Sequence, residues 1–63
     1  ALMEVKFGIF ARKADGEIFE CFRWCRDAAS GIARAFSDAE KFGIEIVEVW
    51  AEDHIGIALI KRI

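Results

Sequence analysis

Two aromatic-rich runs, Glu4 to Lys13 and Glu17 to Cys25, flank an Asp15-Gly16 pair. Asp-Gly is a strong signal for a two-residue hairpin turn, because both turn positions need positive φ and glycine meets that need without steric cost. Such a turn sets Ala14 opposite Glu17, Arg12 opposite Phe19, Phe10 opposite Cys21, Ile9 opposite Phe22 and Phe7 opposite Trp24. One face of the hairpin then carries Val5, Phe7, Ile9, Phe22 and Trp24. The other carries Lys6, Gly8, Phe10, Arg12, Phe19, Cys21 and Arg23.

Beyond the hairpin the period changes. Asp27-Ala28-Ala29-Ser30 reads as an N-cap and first turn. Ala28, Ala29, Ile32, Ala33, Ala35, Phe36, Ala39 and Phe42 follow as a wide apolar stripe, with Ser30, Arg34, Ser37, Asp38 and Lys41 facing the other way. Gly43 is a good C′ terminator, so the pattern predicts a helix over 27–42. Gly31, set among alanines, lets that helix approach a neighbouring backbone closely, by default that of the sheet. Ile44 to Ala51 reads as a strand rich in β-branched residues, Glu52-Asp53-His54 as a turn, and Ile55 to Ile63 as a last strand, apolar on both sides. Apolar residues on both sides suit a central strand. The expected fold is therefore α+β, a two-layer ββαββ sandwich with one helix on a four-stranded sheet of order 2-1-4-3. Glu48 and Trp50 share a face in any regular strand, and a bulge near Val47 is the expected way out of that conflict.

A rival reading exists for the middle of the chain. Ile18, Phe22, Cys25, Ala29, Ile32, Phe36 and Ala39 alternate by fours and threes, as one face of a helix over 16–42 would. That helix, capped by Asp15, gives βαββ. It puts Phe19 on its polar side and Gly31 at its middle, and the aromatic run 17–25 favours a strand.

Size and composition narrow the function. The chain has 63 residues, expected to form one domain over 1–63, and 56% of them are hydrophobic. So small a globule cannot bury that much, and part of it is expected at a subunit or partner interface. The net charge of −2 is too small for an acidic mimic of nucleic acid or a polybasic binder. No apolar run is long enough to span a bilayer and no secretory pattern is present, so the expectation is a cytoplasmic protein without membrane contact. Thr, Asn, Gln, Tyr and Pro are absent, a bias compatible with heat adaptation or with base composition.

The candidate binding residues are Lys6, Phe10, Arg12, Phe19 and Arg23, joined by Arg62, on the sheet face away from the helix. Aromatic side chains interleaved with basic ones can stack bases and neutralise phosphates, as in single-strand binders. The same face, with Ile60 and Ala58, equally suits an apolar patch closed by a second copy of the sheet, with arginines at its rim. An acidic chain favours the second reading. Cys21 and Cys25 on a strand lie about 13 Å apart, too far for a disulfide. Two thiols and one histidine do not complete a zinc site, so no metal or cofactor is expected. His54, after two acids, reads as a turn residue rather than a base. The acids at 38 and 40 or at 45 and 48 read as solvated faces, and there is no serine-histidine-acid set or glycine-rich phosphate loop, so no catalytic residue is assigned.

Under the βαββ reading, Ala51-Glu52-Asp53-His54-Ile55-Gly56-Ile57 is similar to the segment before the C-terminal hairpin of the small 4-oxalocrotonate tautomerase family. The resemblance implies a strand, a long helix, a second strand and a short hairpin. The family's base is an N-terminal proline, where this chain has Ala1, and its second-strand arginine falls near Ile44, where none is present. It therefore implies a diverged, inactive homologue. The reading carried forward is a small non-enzymatic binding or regulatory module, acting by self-association or by capture of a protein partner on the helix-free sheet face. Single-stranded nucleic acid is the alternative ligand, and a tautomerase-like protein the third reading.

Overall fold

Asp27 is extended (φ −153°, ψ 171°), and its carboxylate accepts the Ser30 N–H at 2.8 Å, which starts α1, Ala28–Lys41. At the far end Gly43 takes φ +69°, its N–H donates to Glu40 O at 3.2 Å and the Ile44 N–H donates to Ala39 O at 2.8 Å. These two bonds form a Schellman motif, which satisfies carbonyls the last turn leaves open. Both expected helix ends are thus present. A computed structural model describes residues 5–63 of the chain, apart from the Phe22 side chain. It contains α1 and four strands: β1 (Val5–Lys13), β2 (Ile18–Cys25), β3 (Ile46–Glu52) and β4 (Ile57–Arg62). The order along the chain is ββαββ, and the helix lies on one face of a single antiparallel sheet. Because β2 pairs with β1 residue by residue over 18–25, the long helix 16–42 and the βαββ topology are excluded. The tautomerase resemblance loses its structural basis with them, and Ala1 lies outside the described residues.

The first hairpin differs from the expected register by one residue. Its closing pair is Lys13 and Glu17, with Lys13 N–H donating to Glu17 O at 2.8 Å and Gly16 N–H to Lys13 O at 3.0 Å. Gly16 alone takes positive φ (+93°), while Asp15 keeps negative φ and accepts the Glu17 N–H at 2.9 Å. The loop is therefore a three-residue connection with a glycine bulge, not the two-residue turn. Phe7 sits opposite Arg23, Ile9 opposite Cys21, Ala11 opposite Phe19 and Lys6 opposite Trp24. A one-residue slip turns a whole strand over. Phe19, Cys21 and Arg23 consequently lie on the helix side, and Trp24 lies on the open side, 60% exposed.

The sheet order is β2-β1-β3-β4, not 2-1-4-3. β3 rather than β4 takes the central slot beside β1, with Val49 and Ala51 completely buried under the helix. The expected bulge is present at Val47: Arg12 pairs with Glu48 but Lys13 with Ile46. Its effect is to turn Ile46 into the core, 6% exposed. Glu48 and Trp50 still share the open face. Their conflict is resolved by strand order, since β3 between β1 and β4 puts Glu48 between Arg12 and Arg62.

The core consists of Phe7, Ile9, Cys25, Ile32, Ala39, Ile46, Val49 and Ala51. Gly31 is where the layers come closest, because a Cβ there would stand 2.9 Å from both Cys25 Sγ and Ile9 Cδ1. The default neighbour for the small-residue helix is thus the sheet. Ala29, Ala33 and Phe42, counted in the apolar stripe, remain exposed. No helix among the described residues is long and apolar enough to cross a membrane.

Candidate protein-contact face

The side of the sheet away from α1 is crossed by rows of residues that the pairing brings into line. In the middle row Glu20, Phe10, Trp50 and Ile60 stand side by side on β2, β1, β3 and β4. Phe10 and Trp50 stack with ring centroids 5.4 Å apart and planes within 7°. An aromatic pair of this kind contributes about 0.5–1.5 kcal/mol beyond its area burial. Trp50 Nε1 donates to Glu52 Oε2 at 2.9 Å, which satisfies the one polar atom of the indole. Both rings are half-buried.

The next row holds Ile18, Arg12, Glu48 and Arg62. Arg62 Nε donates to Glu48 Oε2 at 2.6 Å and Arg12 Nε to Glu48 Oε1 at 3.3 Å. The Arg12 guanidinium also lies 5.6 Å from the Trp50 ring centre, in cation–π range. Hydrogen bonds from Arg62, and secondarily from Arg12, hold the Glu48 carboxyl below its ordinary value of 4.5 against a desolvation cost. Its side chain is only 16% exposed, so Glu48 is an organising group of this face and not the solvated acid expected from the sequence.

On the other side of the aromatic row stands Gly8, which contributes no side chain. A shallow depression of about 380 Å³ opens there, lined by Lys6, Phe10, Glu20, Glu52 and the Asp53-His54 turn. Asp53 Oδ1 accepts the N–H groups of Ile55 at 2.8 Å and Gly56 at 3.1 Å, and these bonds hold its carboxyl below 3.8. The acid is therefore committed to its own turn, and His54 beside it is exposed. Lys6 lies 5.9 Å from the Trp24 ring centre. Among the described residues no three His, Cys, Asp or Glu side chains gather as a metal site requires.

Of the five residues singled out from the sequence, Lys6, Phe10 and Arg12 share this face. Phe19 and Arg23 do not. Arg23 forms an ion pair with Asp38 of α1, with its Nε buried and unbonded, and Phe19 lies beside it near Cys21 and Phe42. Asp38 is accordingly a helix–sheet contact rather than part of a solvated run. Cys21 is exposed and Cys25 buried. The residue sequence reasoning missed is Trp50. Its signal is the period of Glu48-Val49-Trp50-Ala51-Glu52, where small apolar residues alternate with Trp50 and two acids, marking the side of Trp50 as the wet one.

No protein-family model matches the chain, no curated protein is similar to it, and no solved structure matches it.

Proposed function

We propose that this chain is a small binding module whose helix-free sheet face takes a second copy of itself or a protein partner. The observation that carries the reading is the Phe10–Trp50 stack, standing at the centre of a face that no described helix or strand covers. An aromatic pair fixed by its neighbours, with Ile60 beside it and arginines at its margin, has the make-up of an interface centre with a polar rim. Arg12 and Lys6 serve that rim directly, Arg12 being already ordered by Glu48 and Trp50.

The chemistry of the face weighs against nucleic acid. Glu48 engages Arg12 and Arg62, while Glu20 and Glu52 add negative charge beside the aromatic row. Phosphate binding needs cations that exchange counterions for the ligand, and Arg12 and Arg62 on this face are already paired with a carboxylate. A stacking protein partner makes no such demand.

Light scattering at low and high salt on the wild type and on Phe10→Glu tests the reading. The expected result is a native mass above that of one chain, lowered in Phe10→Glu with the far-ultraviolet circular dichroism unchanged. Equal mass and equal stability for the two proteins would sink the self-association claim. Salt-sensitive retention of the wild type on heparin would move the assignment to nucleic acid.

A further inference from the structure

The two edges of the sheet are guarded differently. β2 carries Glu20 and Arg23 in mid-strand, and Arg23 is tied down to α1 by Asp38. β4 runs Ile-Ala-Leu-Ile-Lys-Arg, and every one of its residues is exposed. Its charges are confined to the last two positions, the chain has no proline to block a ladder, and the extra residue Ala58 leaves Leu59–Arg62 as the regular stretch of this edge. Strand edges with an outward row of backbone N–H and C=O groups pair with another strand unless charge, proline or cover prevents it.

We infer that β4 pairs antiparallel with β4 of a second copy, about a two-fold axis perpendicular to the sheet, so that two four-stranded sheets become one. This inference is independent of what docks on the open face. A two-fold of this kind requires residues of one face to meet, which allows registers centred on Leu59 or on Ile60. Centred on Ile60, that residue meets the partner's Ile60, Lys61 meets the partner's Leu59, and Arg62 meets the partner's Ala58. Centred on Leu59, the pairing is cut short, because Ala58 is an extra residue that puts Ile57 on the face opposite Lys61. In neither register do like charges stand opposite one another, so the strand is complementary to itself.

Two further features agree with the Ile60 register. Phe10, Trp50 and Ile60 stand in one row that ends at the β4 edge. Pairing continues that row through the partner's Ile60 to its Trp50 and Phe10, so the half-exposed residue at the end becomes the middle. On the helix side, α1 leaves a groove of about 280 Å³ above β4, lined by Ala29, Ile32, Ala33, Leu59 and Lys61. A second strand alongside brings the partner's Leu59 to that groove, where the small alanines leave room.

Amide hydrogen exchange, read together with native mass, tests the pairing. In the wild type the amides of residues 58–62 should all be protected at high concentration, and about half should lose protection on dilution as the mass falls to one chain. Phe10→Glu should keep this behaviour. Leu59→Lys, which stands off the open face, sets like charges opposite each other in both registers. It should lose the mass that the edge contact adds and show half-open β4 amides at every concentration. β4 amides in the wild type that exchange alike at all concentrations overturn the inference, as does a Leu59→Lys protein whose β4 amides stay as protected as those of the wild type. Should Leu59→Lys fail to fold, the dilution series on the wild type and Phe10→Glu decides alone. Loss of mass in Phe10→Glu with β4 protection intact separates the open-face contact from the edge contact.

Discussion

On the helix side of the sheet Ile9, Val49 and Ala51 are 1%, 0% and 0% exposed, whereas their chain neighbours Phe10 and Trp50 on the opposite side keep part of their rings in solvent. The same two central strands supply both sets. The covered face is built from small and branched residues over which a glycine-bearing helix can settle, with the approach set by Gly31 against Ile9 and Cys25. The open face is built from large flat rings, and between them stands a carboxylate held by two arginines. Close packing between α1 and the two central strands leaves no room for a partner there. On the open face, flat rings and satisfied charges give a surface that is ordered before anything docks, which lowers the entropy cost of contact.

The comparison breaks most visibly at Ile9. Ile9→Ala removes a buried side chain next to Gly31, and should lower the unfolding free energy by about 2–5 kcal/mol in a denaturant titration. Against a total of about 5–15 kcal/mol for a folded domain, that is a severe loss. A change as small as one found at an exposed site would mean the helix does not seal this face.

Gly31→Ala sharpens the same point with a smaller effect. Alanine favours the helix by about 1 kcal/mol over glycine. Its methyl group, however, enters a gap already narrower than van der Waals contact, and overpacking of that kind costs about 1–3 kcal/mol. The expected net result is a loss of about 1 kcal/mol and a lower midpoint. A raised midpoint would show that the layers have slack to give.

On the open face the sensitive variable is pH. Glu48 and Asp53 both have carboxyls held below their ordinary values, by Arg62 with Arg12 and by the Ile55 and Gly56 N–H groups respectively. A group whose folded pKa is depressed contributes its stability in full above the unfolded value and loses it as pH falls through the folded one. Thermal melts should therefore be flat above the ordinary carboxylate values of 4.5 and 3.8 and drop below them. Glu48→Gln should melt lower than the wild type at neutral pH, with the gap closing in acid. A constant gap across the range would remove Glu48 from its organising position. Core variants such as Ile9→Ala should show a gap that ignores pH, which sets the two faces apart in one experiment.

Local features were legible in the chain. Asp27 and Gly43 mark the helix ends because capping acts over three or four residues, and Gly16 marks the first turn because only a glycine sits there at positive φ without strain. The bulge at Val47 is present, but what it does is turn Ile46 inward, not part Glu48 from Trp50, which was the ground for expecting it. The candidate site was only partly legible. Lys6, Phe10 and Arg12 lie on one strand, where alternation alone assigns them a common face. Phe19 and Arg23 lie on its neighbour, and their side depended on whether the loop held two residues or three.

The sequence by itself therefore determined the first strand, the helix ends, the two later strands and the residues each strand keeps together, since propensity, capping and period act within a few residues. It left 17–25 open between strand and helix until the pairing with β1 decided it. Register and strand order were decided only by the tertiary structure. Asp15 accepting the Glu17 N–H and the burial of Cys25 belong to the register that turns β2 over. Placing β3 in the centre buries Val49 and Ala51 beneath the helix and gives Glu48 an arginine from each neighbouring strand. Those gains come from residues far apart in the chain, and no local pattern contains them.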